Sequence, residues 1–200
     1  MPIARRKDLV SFLLAAALVG CSHTESHPQT WGKIPPELRP SECLPITGVY
    51  NNTGENAEGK RVKLAWMLMG DEQRGMMSND RLEYERELRD AQTVRLVFDG
   101  DGLLKLEATC NGKSIKWALD NAVLKDGVIT INHSGEASAV NVVAHSWMKT
   151  EIIRTDDYLQ IHKAWKTVGV MLLVPAWERQ KIWARFPVNP TQNLQGKTDD

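Results

Sequence analysis

Val94-Arg-Leu-Val-Phe-Asp-Gly-Asp-Gly-Leu-Leu-Lys-Leu-Glu-Ala-Thr-Cys-Asn-Gly-Lys-Ser-Ile-Lys-Trp-Ala-Leu119 is the stretch that decides the fold. Val94, Leu96 and Phe98 are apolar at every second position. Leu104, Leu106, Ala108 and Cys110 repeat that pattern against Lys105, Glu107 and Thr109, and Ile115, Trp117 and Leu119 repeat it again. A period of two places one set of side chains on a single face of a strand. Between the apolar sets stand Asp99-Gly-Asp-Gly102 and Asn111-Gly112, residues that reach positive φ at little cost and close hairpins. The reading is three antiparallel strands with one buried face.

The pattern extends outward on both sides. Lys125-Asp126-Gly127 is a further turn, leading into Val128-Ile129-Thr130-Ile131. Later strands are expected at 140–153, 157–164, 168–174 and 180–186, and earlier ones at 46–50 and 63–69. Close strand spacing without a long 3.6-residue period predicts an all-β antiparallel meander of about eight to ten strands, closing into a barrel or half-barrel. Residues 70–92, Gly-rich and then highly charged, read as a long connecting loop with room for one short helix.

Composition bounds the function. The 200 residues carry 25 Lys and Arg against 25 Asp and Glu, which removes the basic excess usual in a nucleic-acid binder. With 42% hydrophobic residues a packed core is attainable, and three Cys are too few for a disulfide-dense mini-protein.

The first residues read as an address. Arg5, Arg6 and Lys7 form a basic start, and Leu9 to Val19 is apolar apart from Ser11, too short to span a bilayer but of signal-peptide length. The run ends Leu18-Val19-Gly20-Cys21, which resembles the lipobox of bacterial lipoproteins. The resemblance implies removal of residues 1–20, acylation of Cys21 and anchoring through its lipid. Ser22, where an Asp would favour inner-membrane retention, implies the outer membrane, with the protein facing the periplasm. Two or three acyl chains are needed for a stable anchor, since one binds only marginally. Residues 1–20 hold three basic residues and one acidic, so the mature chain has a net charge of −2.

The expected organisation is a leader over 1–20, a lipidated Cys with a Pro-rich tether over 21–42, a globular domain over 43–186 and a loose tail over 187–200. Pro28, Pro35, Pro36 and Pro40 keep the tether from forming a long helix or a central strand. Gly48-Val49-Tyr50 at a strand start, with Arg185 beside Phe186 in the last strand, resembles the lipocalin arrangement of an opening aromatic under a late Arg. Tyr50 stands where that family has Trp, and the resemblance covers only these residues.

Chemistry-bearing residues are sparse. With Cys21 assigned to lipid, Cys43 and Cys110 either pair or remain two thiols; an oxidising compartment favours the pair. His23 and His27, four apart and followed by Pro28, do not suit a metal. His133, His145 and His162 fall on different expected strands and would make an enzyme only by meeting a carboxylate or Ser in one cleft. Asp99-Gly-Asp-Gly lacks the later ligands of a calcium loop and reads as a turn. No metal, other cofactor or catalytic residue is assigned.

Val170 to Val174 is continuously apolar, which predicts burial on both faces or a cavity lining. Trp165, Trp177 and Trp183 flank it and, with Trp117, are the candidate ligand or partner aromatics; core packing is the plainer account of them. The functional expectation is a non-enzymatic module that binds another envelope component. The alternative is a lipocalin-like carrier of a small apolar ligand, with a cavity lined by Trp117, Trp165 and Met171.

Overall fold

The structure, a computed structural model, describes residues 21–31, 46–68, 86–139, 142–171 and 174–189. The leader, residues 32–45 of the tether, residues 69–85 of the charged segment and the tail beyond 189 lie outside the described residues.

The chain is all-β, in two sheets. The smaller one has the order β2 (Gly48–Asn51), β5 (Thr93–Phe98), β6 (Leu104–Cys110), β7 (Lys113–Leu119). The larger one runs β4 (Arg61–Lys63), β3 (Thr53–Asn56), β12 (Val174–Pro187), β11 (Tyr158–Met171), β10 (Val142–Arg154), β9 (Val128–Ala139), β8 (Ala122–Lys125). From β5 onward this is the expected meander. The hairpin turns are those the sequence marks: Asn111 and Gly112 have φ of 48° and 78°, Asp126 and Gly127 of 50° and 76°, the left-handed pairs that match strand twist.

The barrel is not closed. A bridge between Tyr50 and Val188 joins the two sheets on one side. On the other side β7 and β8 follow each other in the chain, but no ladder joins them among the described residues. The half-barrel is therefore the form adopted. Its concave side is filled by Tyr50, Val94, Leu96, Leu104, Leu106, Ile129, Ile152, Leu159, Ile161 and Phe186, all buried.

The strand expected over 63–69 does not continue past Lys63 among the described residues. Pairing stops at Lys63, and Leu64–Leu68 is a short helix, α1. Leu64, Ala65, Met67 and Leu68 are buried at helical spacing. Asn52, fully buried at the bend between β2 and β3, fixes the helix start. Its carbonyl accepts the Leu64 N–H at 2.8 Å and its side-chain oxygen accepts the Ala65 N–H at 2.9 Å. The Asn52 amide donates to the carbonyls of Leu88 and Ala91, tying in the helical residues 86–90.

Two further expectations change. Segments 157–164 and 168–174 are mostly one strand, β11, which passes straight through Gly169. A Cβ there would stand 2.6 Å from the Val143 carbonyl and 2.8 Å from the Ala144 Cβ on β10, so close strand approach accounts for the glycine. The apolar run 170–174 is divided between β11 and β12, and Val170 is 45% exposed rather than buried on both faces.

β9 to β12 are longer than the core they cover. None of the described residues 132–136, 143–149, 164–170 and 175–182 is buried. These halves form a four-stranded blade projecting about 25 Å from the half-barrel at 3.3 Å per residue.

Candidate functional site

The start of the expected tether is seated on the sheet. Cys21–Thr24 forms β1, parallel to β12, with Cys21 opposite Glu178 and Thr24 opposite Lys181. Backbone pairing needs no particular side chains, which is why polar Ser22 and Thr24 gave no strand signal. Glu25, 9% exposed, continues the contact. Its N–H donates to the Lys181 carbonyl, and its carboxylate accepts the Trp183 N–H at 3.1 Å and the Asn56 amide at 3.2 Å.

Beyond Glu25 the strap builds an aromatic stack on the outer face. The His27 ring stands edge-on between Trp31 and Trp183, with centroids 6.1 and 4.8 Å away, and its Nε2 meets Gln160 Oε1 at 3.2 Å. Arg185 lies over both Trp31 and Tyr158 at 4.8 Å and pairs with Glu55. The guanidinium over Tyr50 belongs to Arg154, at 5.6 Å, so Arg185 does not take the place the lipocalin comparison gives it. Beneath the strap His162 stacks on Trp183 and meets Glu151 through Nδ1 at 2.7 Å. Burial pushes the Glu151 carboxyl up, but hydrogen bonds and charge from Lys149 and His162 outweigh it and hold the group below its ordinary value.

The blade presents its outer face in cross-strand rows, because directly paired residues point the same way. From the tip inward the rows are Val143–Val170–Pro175, Glu136–His145–Val168–Trp177, Ser134–Trp147–Lys166–Arg179 and Asn132–Lys149–Ala164–Lys181. Val143 is 65% exposed, and Trp147, Val168, Val170 and Trp177 are 40–46% exposed. His145 packs on Trp147 at 4.1 Å, and the Lys166 ammonium lies 5.8 Å from the same indole.

The opposite face of the blade forms part of a cleft. β3, β4, α1 and residue 89 face β11 and β12 across about 470 Å³, lined by Arg61, Lys63, Trp66, Arg89, Lys163 and Trp165 among others. Four cations and two indoles converge there, with no carboxylate among the described lining residues. Lys163 is 4% exposed and donates to the Met67 carbonyl at 3.3 Å. The cleft can hold an anion against an aromatic wall.

No family model, no curated protein and no solved structure matches the chain.

The four candidate tryptophans do not form one site. Trp165 lines the cleft, Trp117 packs at the core margin, Trp183 is buried under the strap and Trp177 is exposed on the blade. The expected cavity of Trp117, Trp165 and Met171 is not assembled: Trp117 and Trp165 line different concavities, and the side chain of Met171 lies outside the described residues. Sequence reading missed Trp66 and Trp147, although Trp147 shares its alternation with Val143 and His145.

The three histidines do not converge. His133 pairs opposite Met148 on one face, whereas His145 and His162 lie on the other, three rows apart. Asp99 accepts the N–H groups of Asp101 and Leu103, so its carboxylate closes the turn.

Of the expected Cys43–Cys110 pair, Cys110 carries a free, half-buried thiol, and Cys43 lies outside the described residues. Strand register gives a reason for the free thiol. Gly48 shares a row with Leu96 and Leu106, Asn51 shares one with Thr93 and Thr109, and Cys110 lies beyond it. The chain before Gly48 thus approaches from the far end; Thr47 Oγ1 still accepts from the Phe98 N–H there. A disulfide requires Cα atoms within about 7 Å.

Proposed function

We propose that this protein is a lipid-anchored lipoprotein of the bacterial outer membrane, facing the periplasm, that works by binding another envelope component. The observation that carries the binding role is the cationic cleft: Arg61, Lys63, Arg89 and Lys163 around Trp66 and Trp165. Such a lining favours an anionic partner with an apolar or planar portion. The parallel course of β1 supports the anchor, because it places Cys21 on a strand at the margin of the sheet, paired with β12.

The test has two parts. Replacing Cys21 with Ser should release the chain from membranes and abolish incorporation of labelled palmitate; continued attachment refutes the anchor. A photoreactive residue at Trp66, 40% exposed, should crosslink an anionic component in intact envelopes, and Arg61→Glu with Arg89→Glu should remove the adduct. An adduct that survives charge reversal, or none above that from a label at Lys116, refutes the cleft.

The cleft volume also suits a small amphipathic anion, which is the carrier reading moved from the barrel interior to the cleft. Native mass spectrometry of the whole chain separates the two: a bound small molecule lost on denaturation supports carriage.

A further inference from the structure

Toward its tip the blade carries its exposed large apolar side chains on the outer face, while Met148 and Trp165 of the opposite face lie further in, Trp165 at the cleft. Val143, Val168, Val170, Trp147 and Trp177 all project from the outer face. The other face of the same rows carries Gly135, Ala144, Ser146, Thr167, Gly169 and Ala176. The apolar residues are also ordered along the blade. The first row holds Val143, Val170 and Pro175 with Ser138 on β9, the second sets Val168 and Trp177 beside His145 and, on β9, Glu136, and the third and fourth hold Lys166, Arg179, Lys149 and Lys181 beside Trp147, with no carboxylate in those two. An apolar tip above a belt of Trp, Lys and Arg is the depth order of a membrane interface, with indoles at the headgroups and cations on the phosphates. A contiguous exposed apolar patch with a polar rim calls for a partner surface.

The strap indicates which surface. β1 runs parallel to β12, and β12 runs from the blade tip toward the core, so the chain at Cys21 points at the tip. Cys21 sits one strand spacing, about 4.8 Å, from Glu178, the neighbour of Trp177. An acyl group on Cys21 therefore enters the bilayer beside the apolar rows.

We infer that the blade enters the membrane leaflet that receives the Cys21 lipid tip first, outer face down, with Val143, Val168, Val170 and Trp177 at acyl depth and Lys166 and Arg179 on lipid phosphates. The inference rests on the proposed anchor. Seating fixes the orientation of the domain: the half-barrel is held off the bilayer by the remaining length of the blade, and the cleft opens on the side away from the seated face. A lipid on Cys21 alone leaves the domain free to pivot about that one point, whereas the seated blade makes the lipid and the protein surface a two-point attachment.

The experiment uses the full chain, lipidated in bacterial membranes, purified and reconstituted in vesicles of phosphatidylethanolamine and phosphatidylglycerol with brominated acyl chains. Bromine quenches indoles at acyl depth. Tryptophan emission should fall by roughly a seventh relative to unbrominated vesicles, the share that Trp177, the indole placed at acyl depth, holds among seven Trp. Trp147→Phe with Trp177→Phe should abolish that loss, and Val143→Glu, at a 65% exposed position, should reduce it with an unchanged circular dichroism spectrum. Flotation with the vesicles reports the anchor separately. A chain that floats without quenching, or with quenching that survives the double substitution, overturns the seating while the anchor stands, and leaves the face for a protein. A chain that does not float defeats the anchor. Quenching is then read on the Cys21→Ser chain at saturating vesicles: loss that depends on Trp177 upholds the blade's affinity for lipid, and its absence overturns it.

Discussion

The His162 imidazole lies face to face with the Trp183 indole, centroids 4.3 Å apart and planes 13° from parallel. That contact holds His162 where its Nδ1 meets Glu151, and Lys149 reaches the same carboxylate. The pKa of Glu151 is therefore lower in the folded chain than in the unfolded one. Its contribution to stability is present above the ordinary carboxyl value of 4.5 and is lost as pH falls through the lowered folded value. Thermal unfolding followed downward from neutral pH should show an acid limb that Glu151→Gln flattens. An identical acid limb in the variant would show that other carboxylates set it.

Asn52 is the next test. It is fully buried and serves three backbone groups from one side chain: the Ala65 N–H and the carbonyls of Leu88 and Ala91. Asn52→Ala strands all three in a region that water does not reach. The expected loss is about 3 kcal/mol or more, since each unsatisfied buried group costs roughly 1–3 kcal/mol. Urea unfolding of the full chain measures it, and a loss under about 1 kcal/mol would mean that α1 finds another cap.

These residues show what the sequence displays and what it conceals. The hairpins around Asn111-Gly112 and Asp126-Gly127 were legible because turn chemistry and alternation agree over a few residues. α1 was not, because Leu64-Ala-Trp-Met-Leu68 is an apolar run too short for its period to separate helix from strand, and Asn52, which decides it, lies twelve residues earlier. β1 was illegible for another reason: its partner, Glu178 to Lys181, is more than 150 residues away. The blade was half legible. A strand over 140–153 was expected, but Trp147 was not picked out on it, and nothing local says that Val143 and Trp147 face away from the core.

Gly54 marks where β3 crosses the last core strand. A Cβ on it would fall 2.1 Å from the Arg185 carbonyl and 2.5 Å from the Phe186 ring, both on β12. Neither the backbone nor the buried ring can withdraw without opening the core. Gly54→Ala should cost about 3 kcal/mol, at the upper end of overpacking penalties, and should speed amide exchange at Asn56 and Ala184, which pair across that crossing. Wild-type exchange in the variant would mean that the strands separate without loss.

The thiols offer a direct count. Cys110 is free in the structure, and Thr47, the described residue just before β2, lies at Phe98, at the opposite end of β2. In the Cys21→Ser chain, purified without reductant and denatured, two thiols should react with a thiol reagent. A count of zero, with a crosslinked peptide joining Cys43 to Cys110, would require the chain before Gly48 to double back along β2 to reach Cys110.

Glu25 links the strap to the body of the protein and is the residue on which the position of Cys21 most depends. Its carboxylate takes the Trp183 N–H, a donor on the side of β12 that β1 has just left, and the Asn56 amide from β3. One side chain thus bridges the place where β1 ends and β3 begins along the same margin of β12. Glu25→Ala leaves the Trp183 N–H buried without its acceptor, and hydrogen bonds to a charged group contribute roughly 1.5–3 kcal/mol. Glu25→Gln keeps one acceptor oxygen and should retain part of that. Hydrogen exchange separates a local effect from a global one. In Glu25→Ala, amides of Thr24 and Trp183 should exchange at least about tenfold faster, the factor that 1.4 kcal/mol gives, while Ile152 and Ile161 in the core stay protected. Uniform acceleration across the chain would instead mean that the strap is part of the core's cooperative unit, and that Cys21 cannot move independently of the half-barrel.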